Sequence, residues 1–245
     1  MKHDFDTYPH VRRGFHDHDV IDLAAERLQI VAGAAREMSQ IIDWGYSHES
    51  TLTFVSNHYQ LTERQRGLLA RSVSGEKAAV RRTSKLVEIG NLRRGMGLID
   101  GFNLIVALEV ALSGSPLLRG QDSSIRDLAG MRGTYRIIHE TPRAVGLVLD
   151  VLGSLGDVRA EVLFDEPVSN SGRLVALFNR TARERGLNVH ARTCAQVDKA
   201  LFGRPLVVSS DSLVLDRCKS WINLAAACLE RVPDPWIVDL FESES

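Results

Sequence analysis

MGLIDGFNLIVALEVAL, residues 96–112, decides the fold: a short apolar run, an aspartate, a glycine, then a run with helical grammar. Met96 to Ile99 is too short for a helix and is bounded by glycines, so it reads as a buried strand ending at Asp100. Phe102 to Leu112 continues as an apolar helix, stopped by Gly114-Ser115-Pro116. The apolar stretch Leu98 to Leu112 is interrupted by Asp100, Asn103 and Glu109 and is too short and too polar to span a bilayer.

Downstream, the same strand-then-helix grammar repeats. Ala160 to Phe164 is a predicted strand ending at Asp165, and Ser171 to Arg185 a helix closed by Gly186. Leu187 to Ala191 is a strand, Val197 to Phe202 a short helix, and Leu206 to Ser209 a strand running into Asp211. Thr141-Pro142 reads as a cap with proline at the first helical position, opening a helix to about Leu155. Residues 113–133, with several Gly and Ser, read as loop. Trp221 to Leu224 reads as a further strand before an apolar helix. Strands alternating with helices imply an α/β fold, a parallel sheet covered on both faces.

Upstream the pattern is all-helical. Apolar residues three and four apart, from Ile21 to Ile42, predict one helix, ended by Gly45. Ser47 caps a second and Thr62 a third, and a fourth spans about Glu76 to Val87. The division is therefore a flexible tail over 1–18, a helical domain over 19–94 and an α/β domain over 95–245. The tail holds four of the eight histidines, and His16-Asp17-His18-Asp19 reads as a solvated run in preference to a metal site.

In an open parallel sheet, ligands bind beyond the carboxyl ends of the strands. Asp100, Asp165 and Asp211 follow strands directly, and Asp198 opens the short helix after another. Taken singly, each reads as a helix cap. Together they predict one acidic pocket of oxygen ligands, suited to Mg2+ or Mn2+ in preference to zinc. Ser169 and Ser171 stand before a helix, as an anion contact or as plain caps.

Net charge is −1 over 245 residues, but residues 61–95 hold nine Arg and Lys, among them Arg71, Arg81 and Arg82, against three Glu. Such a stripe is the footprint of a polyanion, or a surface that docks onto the acidic pocket. Three cysteines without CxxC spacing exclude a zinc ribbon or disulfide framework and suggest a reducing compartment. The polar first residues do not read as a signal peptide, so a cytoplasmic location is expected. There is no phosphate loop, no dinucleotide fingerprint and no nucleophile elbow.

GLIDGFNLIVALEVAL resembles the first strand and helix of PIN-type and NYN-type nucleases. VDKALFGRPLVVSSDSLVLDR, residues 197–217, resembles the end of the same domain, and VLFDEPVSNSG, residues 162–172, the strand-end aspartate of the NYN branch. With TLTFVSNHYQLTERQRGLLARSV, residues 51–73, the chain resembles an uncharacterised prokaryotic family, domain of unknown function 434, with a PIN-like (Rossmann-like) C-terminal domain. The resemblance implies metal-ligand and catalytic roles for Asp100, Asp198 and Asp211, with Asp165 a fourth. Asn103 would orient Asp100 or contact substrate, beside Ser210. The second acid of the PIN pattern has no matching motif, and Glu109 and Asp127 are both open. The expected activity is Mg2+- or Mn2+-dependent hydrolysis of phosphodiesters, RNA foremost, with nucleic acid as partner, no membrane, and a homo-oligomer left open. The rivals are a non-catalytic nucleic-acid-binding or adaptor protein and a phosphohydrolase acting on a small nucleotide.

Overall fold

Alternate residues of the strand Arg159–Asp165 belong to different cores. Val162 and Phe164 are buried with the apolar faces of three long helices, while Leu163 is buried on the other side with Val197, Leu201, Val214 and Trp221. This period of two is what a sheet covered on both faces requires. The computed structural model describes residues 8–130 and 133–242.

The sheet has four parallel strands: β1 (Met96–Asp100), β4 (Arg159–Asp165), β5 (Val189–Cys194) and β6 (Val207–Val208). Their spatial order is β5-β4-β1-β6. From β1 the chain steps outward to β4 and β5, then returns to pair β6 on the far side of β1. The order therefore reverses between β1 and β6, which makes that crevice the topological switch point of the sheet. Helices α6 (Gly101–Leu112), α7 (Thr141–Ser154), α8 (Ser171–Glu184) and α11 (Leu224–Leu229) feed one core; α9 (Val197–Leu201) and α10 (Ser212–Arg217) feed the other. Gly101 has a steric reason to be glycine, because a Cβ there would overlap the Phe164 ring.

The helical segment holds α1 (Asp19–Asp22), α2 (Ala25–Asp43), α3 (His48–His58), α4 (Glu63–Ser72) and α5 (Glu76–Thr83). Ser47 caps α3 through the Ser50 amide, and Thr62 and Gln65 form a reciprocal capping box at α4. The single helix expected from Ile21 is broken, since Leu23 and Ala24 leave helical geometry and α2 starts at Ala25. α5 stops at Thr83, short of Val87, and a 3₁₀ turn (Ile89–Arg94) leads into β1.

Residues 113–133, expected to be loop, contain β2 (Leu117–Arg119) and β3 (Ile125–Asp127), an antiparallel hairpin joined in parallel by β7 (Ile237–Asp239). Three-residue strands are too short to print a period on the sequence. Leu118, Val238 and Leu240 share a core with α2, α3 and α4, so the helical segment packs on this small sheet and the contact crosses the expected boundary at 94/95. The strand expected at Trp221 is reduced to single bridges with Leu86 and Val207, and the buried indole donates to Arg82 O at 2.7 Å. At α7, Thr141 is the first helical residue and Glu140 the cap position, one residue earlier than the sequence suggests.

Residues 8–18, read from sequence as part of a flexible tail, are packed, whereas residues 1–7 lie outside the described residues. Arg12 donates to Ser113 O and Gly114 O, and Arg13 Nε approaches the buried Glu109 Oε2 at 2.7 Å as an ion pair. Asp19 is wholly buried against Arg64, with Nε to Oδ1 at 2.6 Å, which takes it out of any histidine-aspartate metal site.

Candidate functional site

Register fixes where the strand-end aspartates sit. Asp100 pairs with Leu163 of β4, so Asp165 lies two residues further along the neighbouring strand. Ile99 pairs with Val208 of β6, so Asp211 lies about as far past Asp100 on the other side. At roughly 3.3 Å per residue and 4.8 Å between strands, the Asp100 and Asp165 Cα atoms are on the order of 8 Å apart. Asp198, four residues beyond Cys194, follows β5, whose last residue pairs with Asp165. All four therefore stand at the carboxyl ends of the strands, Asp100 and Asp211 on either side of the switch point and Asp165 and Asp198 beyond the next two strands.

Asp100 and Asp211 are both helix caps, each through its Oδ1. Asp100 Oδ1 accepts from the Asn103 amide at 3.2 Å, capping α6, while Oδ2 accepts from Ser209 Oγ at 3.1 Å. Asp211 Oδ1 accepts from the Leu213 and Val214 amides, capping α10. The Ser209 hydroxyl also receives the Asp211 amide at 3.1 Å, so one serine ties the two acids together. Asn103 latches the same turn: its Oδ1 accepts from both Ser210 N and Ser210 Oγ at 2.8 Å.

Burial pushes the Asp100 carboxyl up from 3.8 to about 7, with Asp165 and Asp198 adding to the rise against the lowering bonds from Asn103 and Ser209. Asp198 is also raised, by burial first and then by Asp211 and Asp165. Asp165 is raised by burial, with the Val197 amide acting against it. The charges that act on Asp198 are thus other carboxylates, and a group so arranged favours either a proton or a cation. The donors are oxygen only, which fits Mg2+ or Mn2+ in kind. Among the described residues no three His, Cys, Asp or Glu side chains already converge on one cation position. Mg2+ keeps several of its waters and is usually held by one or two carboxylates, so a looser ring still suits it.

Of the two candidates for a second acid, Glu109 is turned away. Its carboxylate is wholly buried, held by Arg13, Tyr135 and Thr141, and burial raises it to about 6. Asp127 ends β3 and lines a cavity of about 180 Å³ with Asn103, Ser210, Asp211, Arg71 and Arg126. Asp211 is the one of the four aspartates that reaches this cavity.

Ser169 and Ser171 serve neither as caps nor as open anion contacts. The Ser169 hydroxyl accepts from Tyr135 N and donates to Tyr135 O, each at 2.9 Å, and Ser171 Oγ turns to Glu166 O at 3.4 Å. The cap position of α8 is Asn170, in left-handed geometry at φ 62° without a side-chain cap.

The basic stripe divides. Arg82 is buried, bidentate to Asp216 at 2.9 Å on each arm and 3.2 Å from Asp122, so it cannot reach a nucleic-acid backbone. Lys85 is spent on the Leu215 and Asp216 carbonyls. Arg81 is mostly exposed, 3.6 Å from Asp216, and Arg71 is partly exposed beside Asp127. Docking therefore uses the inner part of the stripe, leaves Arg81 outward, and engages Arg71 in part through the Asp127 carbonyl at 3.2 Å. Sequence reading missed Ser209, Asp122 and Arg126. The Ser-Ser-Asp string hinted at the first, but no local signal marks a buried ion network assembled from distant segments.

Fold and site define a parallel α/β protein with an acidic strand-end edge, packed on a helical segment. The chain belongs to the family described as Domain of unknown function (DUF5616), which matches residues 90–227. A second family, Protein of unknown function (DUF434), matches residues 31–85. The chain is similar to Uncharacterized protein MJ0935 of Methanocaldococcus jannaschii, 26% identical over 199 residues that cover 80% of this chain and 95% of the relative. No solved structure matches the chain. Among the described residues, no helix is long and apolar enough to cross a membrane.

Proposed function

We propose that the protein is a Mg2+- or Mn2+-dependent nuclease that hydrolyses RNA, on a PIN-like fold. The observation that carries this reading is the set of four aspartates at the carboxyl ends of the parallel strands, in which Asp100 is buried and lifted to about 7 with Asp165 and Asp198 adding to the rise. The strand order supports it, because the reversal places the crevice where open α/β sheets bind their ligands. When bound, a divalent cation there polarises a phosphoryl oxygen and lowers the pKa of the attacking water. Asp100, Asp165, Asp198 and Asp211 supply the negative charge that holds it. Ser209 donates to Asp100 Oδ2 and orients that oxygen, and Asn103 holds the turn that carries Asp211. Asp127 takes the place of the missing second acid, since Glu109 is committed to Arg13.

The test is cleavage of a labelled single-stranded RNA with Mg2+, Mn2+ or chelator. The wild-type protein cleaves with either cation and not with chelator, and Asp100→Asn loses at least about a hundredfold in rate, as loss of a charge-stabilising group does. Metal-dependent cleavage by Asp100→Asn at the wild-type rate sinks the role given to Asp100. A second reading, a binding protein without catalysis, draws on the absence of a ready three-acid shell among the described residues. It expects RNA binding indifferent to divalent cations and no cleavage.

A further inference from the structure

The guanidinium of Arg126 joins the two halves of the molecule at one point. Its Nη1 donates to Arg71 O at the end of α4, at 2.7 Å, and its Nε to Ser210 O, one residue before Asp211, at 2.9 Å. Its Nη2 is anchored by the wholly buried Asp122 at 2.5 Å, with Ser212 Oγ at 3.3 Å. The arginine itself is nine-tenths buried. Between the two segments it bridges lies the cavity of about 180 Å³, lined by Arg71, Asn103, Asp127, Ser210 and Asp211. Arg71 brings to this cavity a cation that is 40% exposed, with one arm donating to Asp127 O at 3.2 Å and a long contact, 3.9 Å, to the Asp127 carboxylate.

We infer that this cavity is a seat for one backbone phosphate of an RNA strand, contacted by Arg71, and that Arg126 is a positioning residue that fixes the distance between Arg71 and the Asp211 turn. The inference rests on the reading of the strand-end edge as a phosphodiester site and assigns the helical segment a part in it. A planar guanidinium can bridge two carbonyls and a carboxylate in fixed directions; an ammonium at the same place is a point charge and cannot hold both carbonyls in that geometry. Asp127 and Asp211 repel a free anion, so the phosphate binds as part of its strand and not as inorganic phosphate.

A double-mutant cycle tests this. A short single-stranded RNA is titrated by anisotropy in Ca2+ with wild type, Arg71→Ala, Arg126→Lys and the double variant, at a temperature where all four are folded. Each single change weakens binding about tenfold, the loss of one charge-assisted contact. Because Arg126 acts through Arg71, the double variant also loses about tenfold, not the roughly hundredfold of independent sites. Mn2+ affinity, read by electron paramagnetic resonance, does not fall in Arg71→Ala. If Arg126→Lys does not fold, Asp122→Asn, which loosens the anchor and keeps its shape, takes its place in the cycle. Additive losses, unchanged RNA affinity in either single variant, or no RNA binding by wild type overturns the seat. Absence of Mn2+ binding at the aspartates with the cycle intact leaves the seat standing and removes the nuclease reading.

Discussion

Asp100 has one oxygen on the α6 amides and the other on Ser209, and it is buried beside Asp165 and Asp198. In the folded protein it keeps its proton to about pH 7, whereas in the unfolded chain it loses it near 4. Between those values the folded state holds the extra proton, so the metal-free protein loses stability as pH rises through that window and levels off above it. The loss is on the order of a few kcal/mol. Asp100→Asn keeps the cap acceptor and removes the titration. Melting in chelator from pH 4.5 to 8 therefore shows a flatter profile for the variant and a melting temperature several degrees above wild type at pH 8. Parallel profiles for the two proteins would mean that Asp100 is not the strained carboxyl. Arg81 and Arg82 also part company at this scale. Arg82→Ala removes the bidentate partner of Asp216 and one of the two cations on Asp122, which keeps Arg126, and costs about 3 kcal/mol, while the salt slope of RNA binding stays as it was. Arg81→Ala costs less than about 1 kcal/mol. Urea melts and a salt titration on both variants check the pair.

Among the elements, legibility followed length and local chemistry. β1, β4 and the caps at Ser47 and Thr62 were readable because each carries its own signal: an apolar run closed by aspartate, or a hydroxyl three residues before its amide. β2, β3 and β7 were not, since three residues cannot show a period, and their burial depends on Leu118 and Val238 meeting helices far away in sequence. α10 was hidden behind its own cap, Asp211, whose position as a strand-end acid was readable while the six helical residues after it were not. The same limit applies to the site. Three strand-end acids and their shared edge were legible, but the choice between Glu109 and Asp127 was not, because Arg13 arrives at Glu109 from outside the domain. The segment around Arg13 is a structural strap. Arg13→Ala leaves Glu109 buried without its cation and lowers stability by roughly 3 kcal/mol, at the low end for a broken buried pair because Glu109 can take up a proton. Chemical denaturation of this variant at pH 8 reads that loss, and a change under 1 kcal/mol would show the strap to be ornamental to stability.

At the scale of the molecule, the two family-matched regions, residues 31–85 and 90–227, are joined by buried charge. Arg82 from α5, Asp122 and Arg126 from the β2–β3 hairpin, and Asp216 from α10 form one network, and its far end supports the turn that carries Asp211. The proposed nuclease chemistry requires the acidic strand-end edge to hold a hard divalent cation. The direct measurement is a crystal of the full chain soaked in Mn2+ and recorded at a wavelength where manganese scatters anomalously. One strong anomalous peak is expected at the carboxyl ends of β1 and β6, within about 2.2 Å of an Asp100 oxygen and of at least one oxygen from Asp165, Asp198 or Asp211, with water completing an octahedron. A well-phased map with no peak at that edge, or with manganese bound only elsewhere on the protein, would contradict it.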